Sequence, residues 1–379
     1  MELLQCPIMA YPWGSRTVLA GIQGRPAPSP GPEAELWAGA HPAAPSRLGG
    51  VPLNDRIAAD PTGLLGRSVV DRFGARLPYL MKLLAVEANL SLQAHPGPGQ
   101  AARGYAAEEA AGVPVDAPHR RYVDPYAKPE LLVAVTRFRA LCGFRDPAES
   151  AELLAGLGVP ALAPAVSALR ERDLRTAVAS LLSAGPGLAE EVSAAAAGRG
   201  GEYRVVEELA ARHPGDPGLT VVLLLNQVAL APGEAVFMPV GNLHAYLGGT
   251  GVEVMAASDN VLRGGLTSKH VDVAELLRVL SFEPLPEPVL APVPVAPGVV
   301  TWPVPVQEFA LHRVAVGDGV PRAELVRPGP RVAMCLRGEV RLDDGSPVRL
   351  RAGEVAFGPA DGPVLSVTGD GEVYVTTVG

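Results

Sequence analysis

Residues 233–244 read GEAVFMPVGNLH, in which a glycine, five residues, Pro-x-Gly and two further residues lead to His244. A Gly-Glu pair before an apolar run, with proline behind the run, is typical of a strand bounded by turns. The first half of the pattern recurs as GEVAFGP at 353–359, but Val364 stands where the histidine would be. The spacing predicts two β units of one design, of which only one carries a candidate ligand.

The rest of the chain divides by composition into four segments. Short apolar runs separated by proline and glycine predict strands and turns over residues 1–145 and 216–283. Residues 146–215 are rich in Ala, Leu and Glu with apolar positions three or four apart, which is typical of short helices. We therefore predict a mainly β protein. Its catalytic domain combines 1–145 with 216–283, the helices form an insertion, and 284–379 form a second barrel without ligands.

The composition excludes several classes of protein. The chain has 379 residues, of which 48% are hydrophobic and 19% charged, so it can bury a sizeable core. A net charge of −8 offers no basic surface for nucleic acid or an anionic membrane. We find no signal-peptide pattern and no apolar run near the roughly 20 residues of a membrane span. Three cysteines are too few for a disulfide framework. We expect a monomeric cytoplasmic protein whose partner is a small molecule.

The segment around His244 resembles the second conserved motif of the cupins, small barrels that hold a metal ion inside. The first cupin motif normally offers His-x-His on an inward-facing strand, because residues two apart point to the same side. Here the matching place reads Gln93-Ala94-His95, and Glu130 opens another predicted strand. Together these residues supply two imidazole nitrogens and two oxygens, which suits zinc with a position left open for substrate.

Five longer stretches make the resemblance more specific. They are similar to type I mannose-6-phosphate isomerases from residue 11 to about 280, and in chain order they read YPWGS, LSLQAHP, DPYAKPEL, PVGNLHAYL and VEVMAASDNVLRGGLTSKHVDV. The resemblance implies zinc-dependent interconversion of mannose 6-phosphate and fructose 6-phosphate through an enediolate, with one zinc per chain. It also implies that the zinc ligands are Gln93, His95, Glu130 and His244. Such an enzyme feeds mannose into or out of central metabolism.

The lysines support the resemblance independently. Only three of the 32 basic residues are lysine, namely Lys82, Lys128 and Lys269. A chain so biased against lysine keeps it where a compact ammonium works and a planar guanidinium does not. All three fall inside the family's motifs, so we interpret them as residues of the site.

The resemblance also implies roles in the reaction. Arg263 is the family's candidate cation over the enediolate; the less favoured alternative is an ordinary ion pair with Asp259 four residues earlier. Moving the carbonyl from C1 to C2 requires a proton shuttle, and Glu253 and Asp259 are the nearest carboxylates in the sequence. We expect either of them to act. Lys128 orients the hydroxyl groups or assists the proton transfer.

For the phosphate group, the resemblance implies Lys269, Lys82 and the hydroxyl of Ser91 as donors. Trp13 lines the mouth of the pocket or belongs to the core. Other residues are given no role: His270 is expected near the site without binding metal, Cys142 as a buried inert thiol, and four further histidines as surface or packing residues, which are His41, His119, His213 and His312.

Two alternatives stay open at this stage. A different metal-dependent cupin, such as an iron oxygenase or a sugar epimerase, would also use two histidines and a carboxylate. A non-catalytic sugar-binding cupin would be expected to have lost part of the ligand set. The stretch 96–127 is rich in Gly, Ala and Arg, so we expect the pocket rim to differ from that of the family. A related aldose phosphate or an unphosphorylated sugar therefore stays open as the substrate.

Overall fold

A computed structural model describes residues 1–360, 362 and 364–379. Its strands pair antiparallel, and in chain order they are β1 (Glu2–Gln5), β2 (Ile8–Met9), β3 (Glu35–Gly39), β4 (Arg47–Leu48), β5 (Val51–Pro52), β6 (Tyr79–Val86), β7 (Leu92–Ala94), β8 (Glu130–Ala134), β9 (Phe138–Phe144), β10 (Leu225–Leu230), β11 (Ala235–Met238), β12 (His244–Ala256), β13 (Leu262–Gly265), β14 (Val289–Leu290), β15 (Val293–Ala296), β16 (Val299–Thr301), β17 (Ala310–Val316), β18 (Arg322–Leu325), β19 (Arg331–Asp343), β20 (Val348–Arg351), β21 (Val355–Gly358) and β22 (Leu365–Thr377).

The helices are short, and in chain order they are α1 (Val18–Ile22), α2 (Leu53–Ala59), α3 (Pro61–Leu65), α4 (Arg67–Phe73), α5 (Pro98–Ala110), α6 (Pro147–Gly156), α7 (Ala163–Arg170), α8 (Leu174–Ser183), α9 (Pro186–Ala196), α10 (Arg204–Ala210) and α11 (Val273–Val279). Within the described ranges, none of these helices has both the length and the apolar composition needed to cross a bilayer. The prediction of a mainly β fold with helical parts is confirmed.

Strand β12 joins the two halves of the β structure that carries the site. Its first residues pair with β7 and β9, and its last eight pair with β6 and β8. The change of partner falls at the sequence LGGTG, where the register shifts between Tyr246 and Gly248 and Gly249 has a φ of 127°. A Cβ atom on Gly249 would lie 2.7 Å from the carbonyl oxygen of Arg137. Only glycine fits this bend, which lets the two ends of β12 belong to the two halves of the β structure.

Strand β6 is buried on both faces of its sheet and places different side chains on each. All eight of its residues are buried, and alternate residues point to opposite sides. Tyr79, Met81 and Leu83 pack outward in a cluster shared with Trp302 of the C-terminal sheet. Lys82 therefore points inward, towards the interior that β12 encloses.

The helical insertion covers the outside of the β7–β9 half. Its first helix, α6, begins with Pro147 in the first turn, and the Asp146 carboxylate accepts a hydrogen bond from the Ala148 N–H. Apolar residues of α6 to α10 form one core with Leu92 and Leu141 of the strands. The insertion is thus packed directly behind the strand that carries Gln93.

The C-terminal sheet includes strands from both ends of the chain. Strand β1 pairs with β21, with Leu3 opposite Ala356, and β4 pairs with β1. The proposed division into a catalytic domain, an insertion and a separate 284–379 barrel stays a prediction, and this pairing ties residues 2–5 to the last segment.

Residues 1–145 contain more helix than the sequence pattern predicted. Helices α2 to α4 lie within 53–73, and α5 covers 98–110. The stretch that forms α5 was interpreted only as rich in Gly, Ala and Arg. Its helix is stabilised by Pro98 in the first turn and by the Gln100 side chain, whose oxygen accepts a hydrogen bond from the Gly97 N–H.

Candidate metal centre and active site

Three strands bring the predicted metal ligands together. Gln93 in β7 lies directly opposite His244, the first residue of β12. His95 follows β7 immediately, and Glu130 is the first residue of β8. The ligand atoms of His95, Glu130 and His244 all lie within 4.8 Å of one another, and the three side chains are buried.

Backbone carbonyl groups fix the orientation of both imidazole rings. Nδ1 of His95 donates a hydrogen bond to the carbonyl oxygen of Asn260 at 2.7 Å, and Nδ1 of His244 donates to that of Asn242 at 3.0 Å. Because each ring carries its proton on Nδ1, each Nε2 presents a lone pair. Histidine ligands of metal ions are commonly oriented in this way.

These lone pairs converge on Glu130. Nε2 of His95 lies 3.4 Å from Oε1 of Glu130, and Nε2 of His244 lies 3.4 Å from its Oε2. Nε2 of His95 and Oε2 of Glu130 are buried and have no hydrogen-bond partner among the described residues. Three acceptor atoms that face one another without a proton repel, and a cation between them removes the repulsion. The donor set therefore fits a zinc ion.

Burial and the charges of neighbouring residues keep His95 and Glu130 in the protonation states that bind a metal ion. Burial and the nearby Lys128 charge lower the pKa of His95 to about 4, so the ring is neutral near pH 7. Burial acts to raise the pKa of Glu130, but Lys128, 3.0 Å from Oε1, and His95 outweigh it and hold that pKa well below its ordinary value. An ionised carboxylate and a neutral imidazole are the forms that bind metal.

Gln93 completes the predicted set from the open side. Its amide nitrogen lies 3.4 Å from Nε2 of His244. Turning the amide by 180° exchanges the nitrogen for the oxygen, so Gln93 can present Oε1 to an ion held by the three buried residues.

A cavity of about 560 Å³ opens above the group. Gln93 and Glu130 line it, while His95 and His244 lie behind Glu130 and are not part of the wall. The cavity is also lined by all the other residues that the sequence predicts for the site. These are Trp13, Lys82, Ser91, Lys128, Glu253, Asp259, Arg263 and Lys269.

Lys82 is the centre of a buried network on one wall. Its Nζ lies 3.2 Å from Glu253 and 3.5 Å from Glu35, and it sits over the ring of Trp37. Burial acts to lower the pKa of Lys82, but the two carboxylates outweigh it and raise the pKa above its ordinary value. Lys82 is therefore charged, and that charge is already compensated.

Glu253 faces Lys82 across the strands and is 3% exposed. The hydroxyl of Tyr246 donates a hydrogen bond to its Oε1 at 2.8 Å. Burial raises the pKa of Glu253, and the opposing effect of Lys82 does not cancel the rise. A carboxylate with a raised pKa, lining a cavity, is suited to exchange a proton near neutral pH.

Asp259, in contrast to the buried Glu253, lies at the cavity edge with 43% of its side chain exposed. Nε2 of the buried His41 lies 3.3 Å from its Oδ1. Burial acts to raise the pKa of Asp259, but the contact with His41 outweighs it and lowers the pKa from its ordinary value. Asp259 is thus held in its ionised form.

Two of the predicted cations lie on the cavity rim without counter-charges. Arg263 is in β13 and Lys269 is in the loop that follows it. Within the part of the chain that the structure describes, neither lies within 4.0 Å of a carboxylate or makes a side-chain hydrogen bond. The alternative that Arg263 pairs with Asp259 is therefore not realised. Burial lowers the pKa of Arg263, and partial burial with the charge of Arg263 lowers that of Lys269.

Comparison with known proteins is decisive about the family. Residues 1–147 match the family described as phosphomannose isomerase type I, catalytic domain. The chain is 38% identical over 387 residues to a mannose-6-phosphate isomerase of Escherichia coli (strain K12), covering 98% of each protein. The chain belongs to the type I phosphomannose isomerase family. The resemblance inferred from the sequence is confirmed.

Other type I phosphomannose isomerase relatives agree along the whole chain. Mannose-6-phosphate isomerase 2 of Arabidopsis thaliana is 31% identical, with 98% of this chain and 92% of that protein covered. Among solved structures, a mutant phosphomannose isomerase from Salmonella typhimurium has a TM-score of 0.92 at 36% identity, covering 100% of this chain and 99% of that one. A mannose 6-phosphate isomerase structure described as zinc-bound has a TM-score of 0.91 at 36% identity, with the same coverage.

Several residues of this family member that reach the site were not identified from the sequence, among them Asn260, His41 and His213. Asn260 is fully buried, and its backbone carbonyl oxygen accepts the hydrogen bond from His95. Its side-chain amide donates to the carbonyl oxygens of Asp124 and Tyr126, which holds the segment before Lys128 in place. His41 and His213 were interpreted as surface or packing residues, yet both contact residues of the cavity. Their partners lie more than 100 residues away in the sequence, where no local pattern could indicate them.

The remaining predicted positions are also accounted for in this isomerase fold. Trp13 lines the cavity and stacks on Tyr11, with ring centroids 5.8 Å apart. His270 is exposed and does not line the cavity. Burial raises the pKa of the Cys142 thiol to about 12, as expected for an unreactive cysteine.

Proposed function

We propose that this protein interconverts mannose 6-phosphate and fructose 6-phosphate, with one zinc ion held by Gln93, His95, Glu130 and His244. The buried group of two imidazoles and a carboxylate, with its unpartnered acceptor atoms at the base of a 560 Å³ cavity, carries the proposal. The names of the relatives supply the substrate: those reported above are mannose-6-phosphate isomerases. A non-catalytic cupin is not favoured, because the complete donor set is present.

Zinc, when bound, supplies a Lewis acid that polarises the carbonyl and hydroxyl oxygens of the sugar. The chain's own residues provide the rest of the chemistry. Lys128, buried with its Nζ 3.0 Å from Glu130, lines the cavity beside the metal centre. We assign it to orienting the sugar hydroxyl groups by hydrogen bonds.

We assign the proton transfer between C1 and C2 to Glu253 in preference to Asp259. The base must be able both to accept and to return a proton, which is most efficient when its pKa lies near the working pH. Burial raises the pKa of Glu253 towards that range, whereas the pKa of Asp259 is lowered. Tyr246 and Lys82 hold the Glu253 carboxylate in place on both of its oxygens.

Arg263 is proposed to stabilise the negative charge that develops on the enediolate. A guanidinium stays charged throughout the reaction, and this one has no carboxylate within 4.0 Å among the described residues. Its charge is therefore available to the substrate. A preorganised cation in a site partly closed to water is an effective source of transition-state stabilisation.

For the phosphate group we propose Lys269 and Ser91, both on the cavity wall. The sequence also suggested Lys82 as a donor. Its charge is shared between Glu35 and Glu253, so a dianion gains little from it. We assign Lys82 instead to positioning Glu253, and Trp13 to the mouth of the cavity.

We further propose that the enzyme works as a monomer in the cytoplasm. Every residue in the proposed mechanism comes from one chain. The three cysteines are free thiols, which suits a reducing compartment. Sedimentation equilibrium of the purified protein tests the first point, and a mass twice that of the chain would contradict it.

The deciding experiment is a coupled assay of fructose 6-phosphate formation from mannose 6-phosphate. The protein is assayed as isolated, after chelation and after zinc is restored, with His244→Ala as the variant that lacks a ligand. We expect chelation to abolish activity, zinc to restore it and His244→Ala to stay inactive. One bound zinc per chain without activity would refute the substrate assignment and keep the metal centre.

A further inference from the structure

The loop that ends the helical insertion forms part of the cavity wall. Helix α10 ends at Ala210, and the next residues, Arg212 and His213, line the same cavity as Arg263 and Lys269. The insertion is therefore more than a cover on the outside of the sheet. It contributes a cation to a cavity whose other residues come from the β structure.

Two side-chain contacts attach this loop to the rest of the site. Nε2 of His213 lies 3.0 Å and 3.2 Å from the amide atoms of Asn89, which also lines the cavity. Oδ2 of Asp216 accepts a hydrogen bond from the N–H of Thr267 at 3.2 Å. Since Thr267 lies between Arg263 and Lys269, the loop of the insertion and the loop of the two cations are held together.

Apart from Asp259, which is paired with His41 at the cavity edge, the charges of the cavity divide into two regions. At the base and on one wall, the carboxylates of Glu35, Glu130 and Glu253 are paired with Lys82 and Lys128. At the rim, Arg212, Arg263 and Lys269 have no carboxylate within 4.0 Å and no side-chain hydrogen bond among the described residues. Three cations that line one cavity without a carboxylate partner, in a chain with net charge −8, favour binding of an anion of more than one charge.

We propose that Arg212 is a further binding residue for the phosphate group of the sugar phosphate. The helical insertion then has a direct role in substrate recognition. The inference rests on the proposed function for the identity of the sugar. The anion site itself is argued only from the uncompensated cations of the cavity wall, of which Arg212 and Lys269 are available to the phosphate while Arg263 is assigned to the enediolate. A planar guanidinium can form two parallel hydrogen bonds to phosphate oxygens, which Lys269 cannot.

The test measures binding of inorganic phosphate to the zinc-loaded protein by titration calorimetry, together with KM for mannose 6-phosphate. Arg212→Gln is compared with wild type and with Arg170→Gln, an exposed arginine of the same insertion that does not line the cavity. We expect Arg212→Gln to raise both the Kd for phosphate and the KM roughly tenfold, because a charge-assisted hydrogen bond is lost. Arg170→Gln is expected to stay within about twofold of wild type for both.

The outcomes separate this inference from the proposed function. A Kd for inorganic phosphate that is unchanged in Arg212→Gln would overturn the role of Arg212, whatever the substrate. A wild-type protein that binds phosphate through Arg212 but does not isomerise mannose 6-phosphate would refute the proposed function and support the anion site. Circular dichroism of Arg212→Gln checks that its fold is intact. We expect it to be, because Arg212 is exposed and its side chain makes no hydrogen bond or ion pair with the residues that the structure describes.

Discussion

Gly218, in the loop that ends the helical insertion, and Gly265, at the end of β13, are in direct backbone contact. A Cβ atom on Gly265 would lie 2.7 Å from the Cα of Gly218, and one on Gly218 would lie 3.1 Å from the Cα of Gly265. This contact fixes the distance between the insertion and the loop that carries Lys269. The proposed anion site therefore depends on two glycines that do not themselves line the cavity.

Gly265→Ala is expected to destabilise the protein. Gly265 has a φ of 131°, which non-glycine residues rarely adopt, and an added methyl group would collide with Gly218 and Asp216. We expect the free energy of unfolding to fall by about 2–3 kcal/mol, measured by urea denaturation. The control is Gly187→Ala in α9, where a Cβ meets nothing within 4 Å. Equal stability of the two variants would contradict the close approach.

Glu253→Gln is expected to lower kcat about 1000-fold, as the loss of a general base does. Asp259→Asn, the matched variant of the other candidate, is expected to lower kcat less than tenfold. Both substitutions are nearly isosteric, so steady-state kinetics with zinc content measured in parallel compares the two carboxylates directly. The reverse order of effects would assign the proton transfer to Asp259.

Lys82→Gln is expected to move the acid limb of the pH–rate profile to higher pH. The base acts in its ionised form, and Lys82 counteracts the rise in the pKa of Glu253 that burial causes. Without the ammonium that pKa rises further, so less of Glu253 is ionised at a given pH. Lys269→Gln removes a positive charge from the cavity rim, and we expect it to raise KM without shifting the acid limb. If the acid limb of Lys82→Gln coincides with that of wild type, the titration of Glu253 does not determine that limb.

Removing zinc is expected to lower the thermal stability of the wild-type protein. An ion that binds only the folded state adds about 2.7 kcal/mol of stability at a concentration 100 times its Kd. His244→Ala should show little of this gain and bind less than one zinc per chain. His119→Ala, an exposed histidine outside the cavity, serves as the control and should behave as wild type. Full zinc binding by His244→Ala would exclude His244 as a ligand.

The parts of the site that follow local rules were predictable from the sequence. Gln93 and His95 share a direction because they lie two residues apart, and the Gly-x5-Pro pattern indicates the strand and turn before His244. The helices of the insertion follow from composition and from the cap at Asp146. Each of these signals lies within about a dozen residues, which is the range over which sequence patterns act.

The parts that depend on distant contacts were not predictable. Nothing local indicates that Asp216 reaches Thr267, or that Lys82 is neutralised by Glu35 as well as Glu253. Tertiary contacts, rather than propensity, decide such positions. Helix α5 is a different case: its alanines favour a helix, but Gly99 and Gly104 interrupt the pattern, and its start is defined by one proline and one side-chain cap.

The pairing of β1 with β21 also has a consequence for how the protein is made. Leu3 is translated well before its partner Ala356, which lies 353 residues further along the chain. At roughly 5–20 residues per second, the first strand waits on the order of 20–70 seconds for its partner. During that interval one edge of its backbone is unpaired and open to pairing with other chains. The contact between β1 and β21 also has a very long sequence separation, and contacts of this kind slow folding.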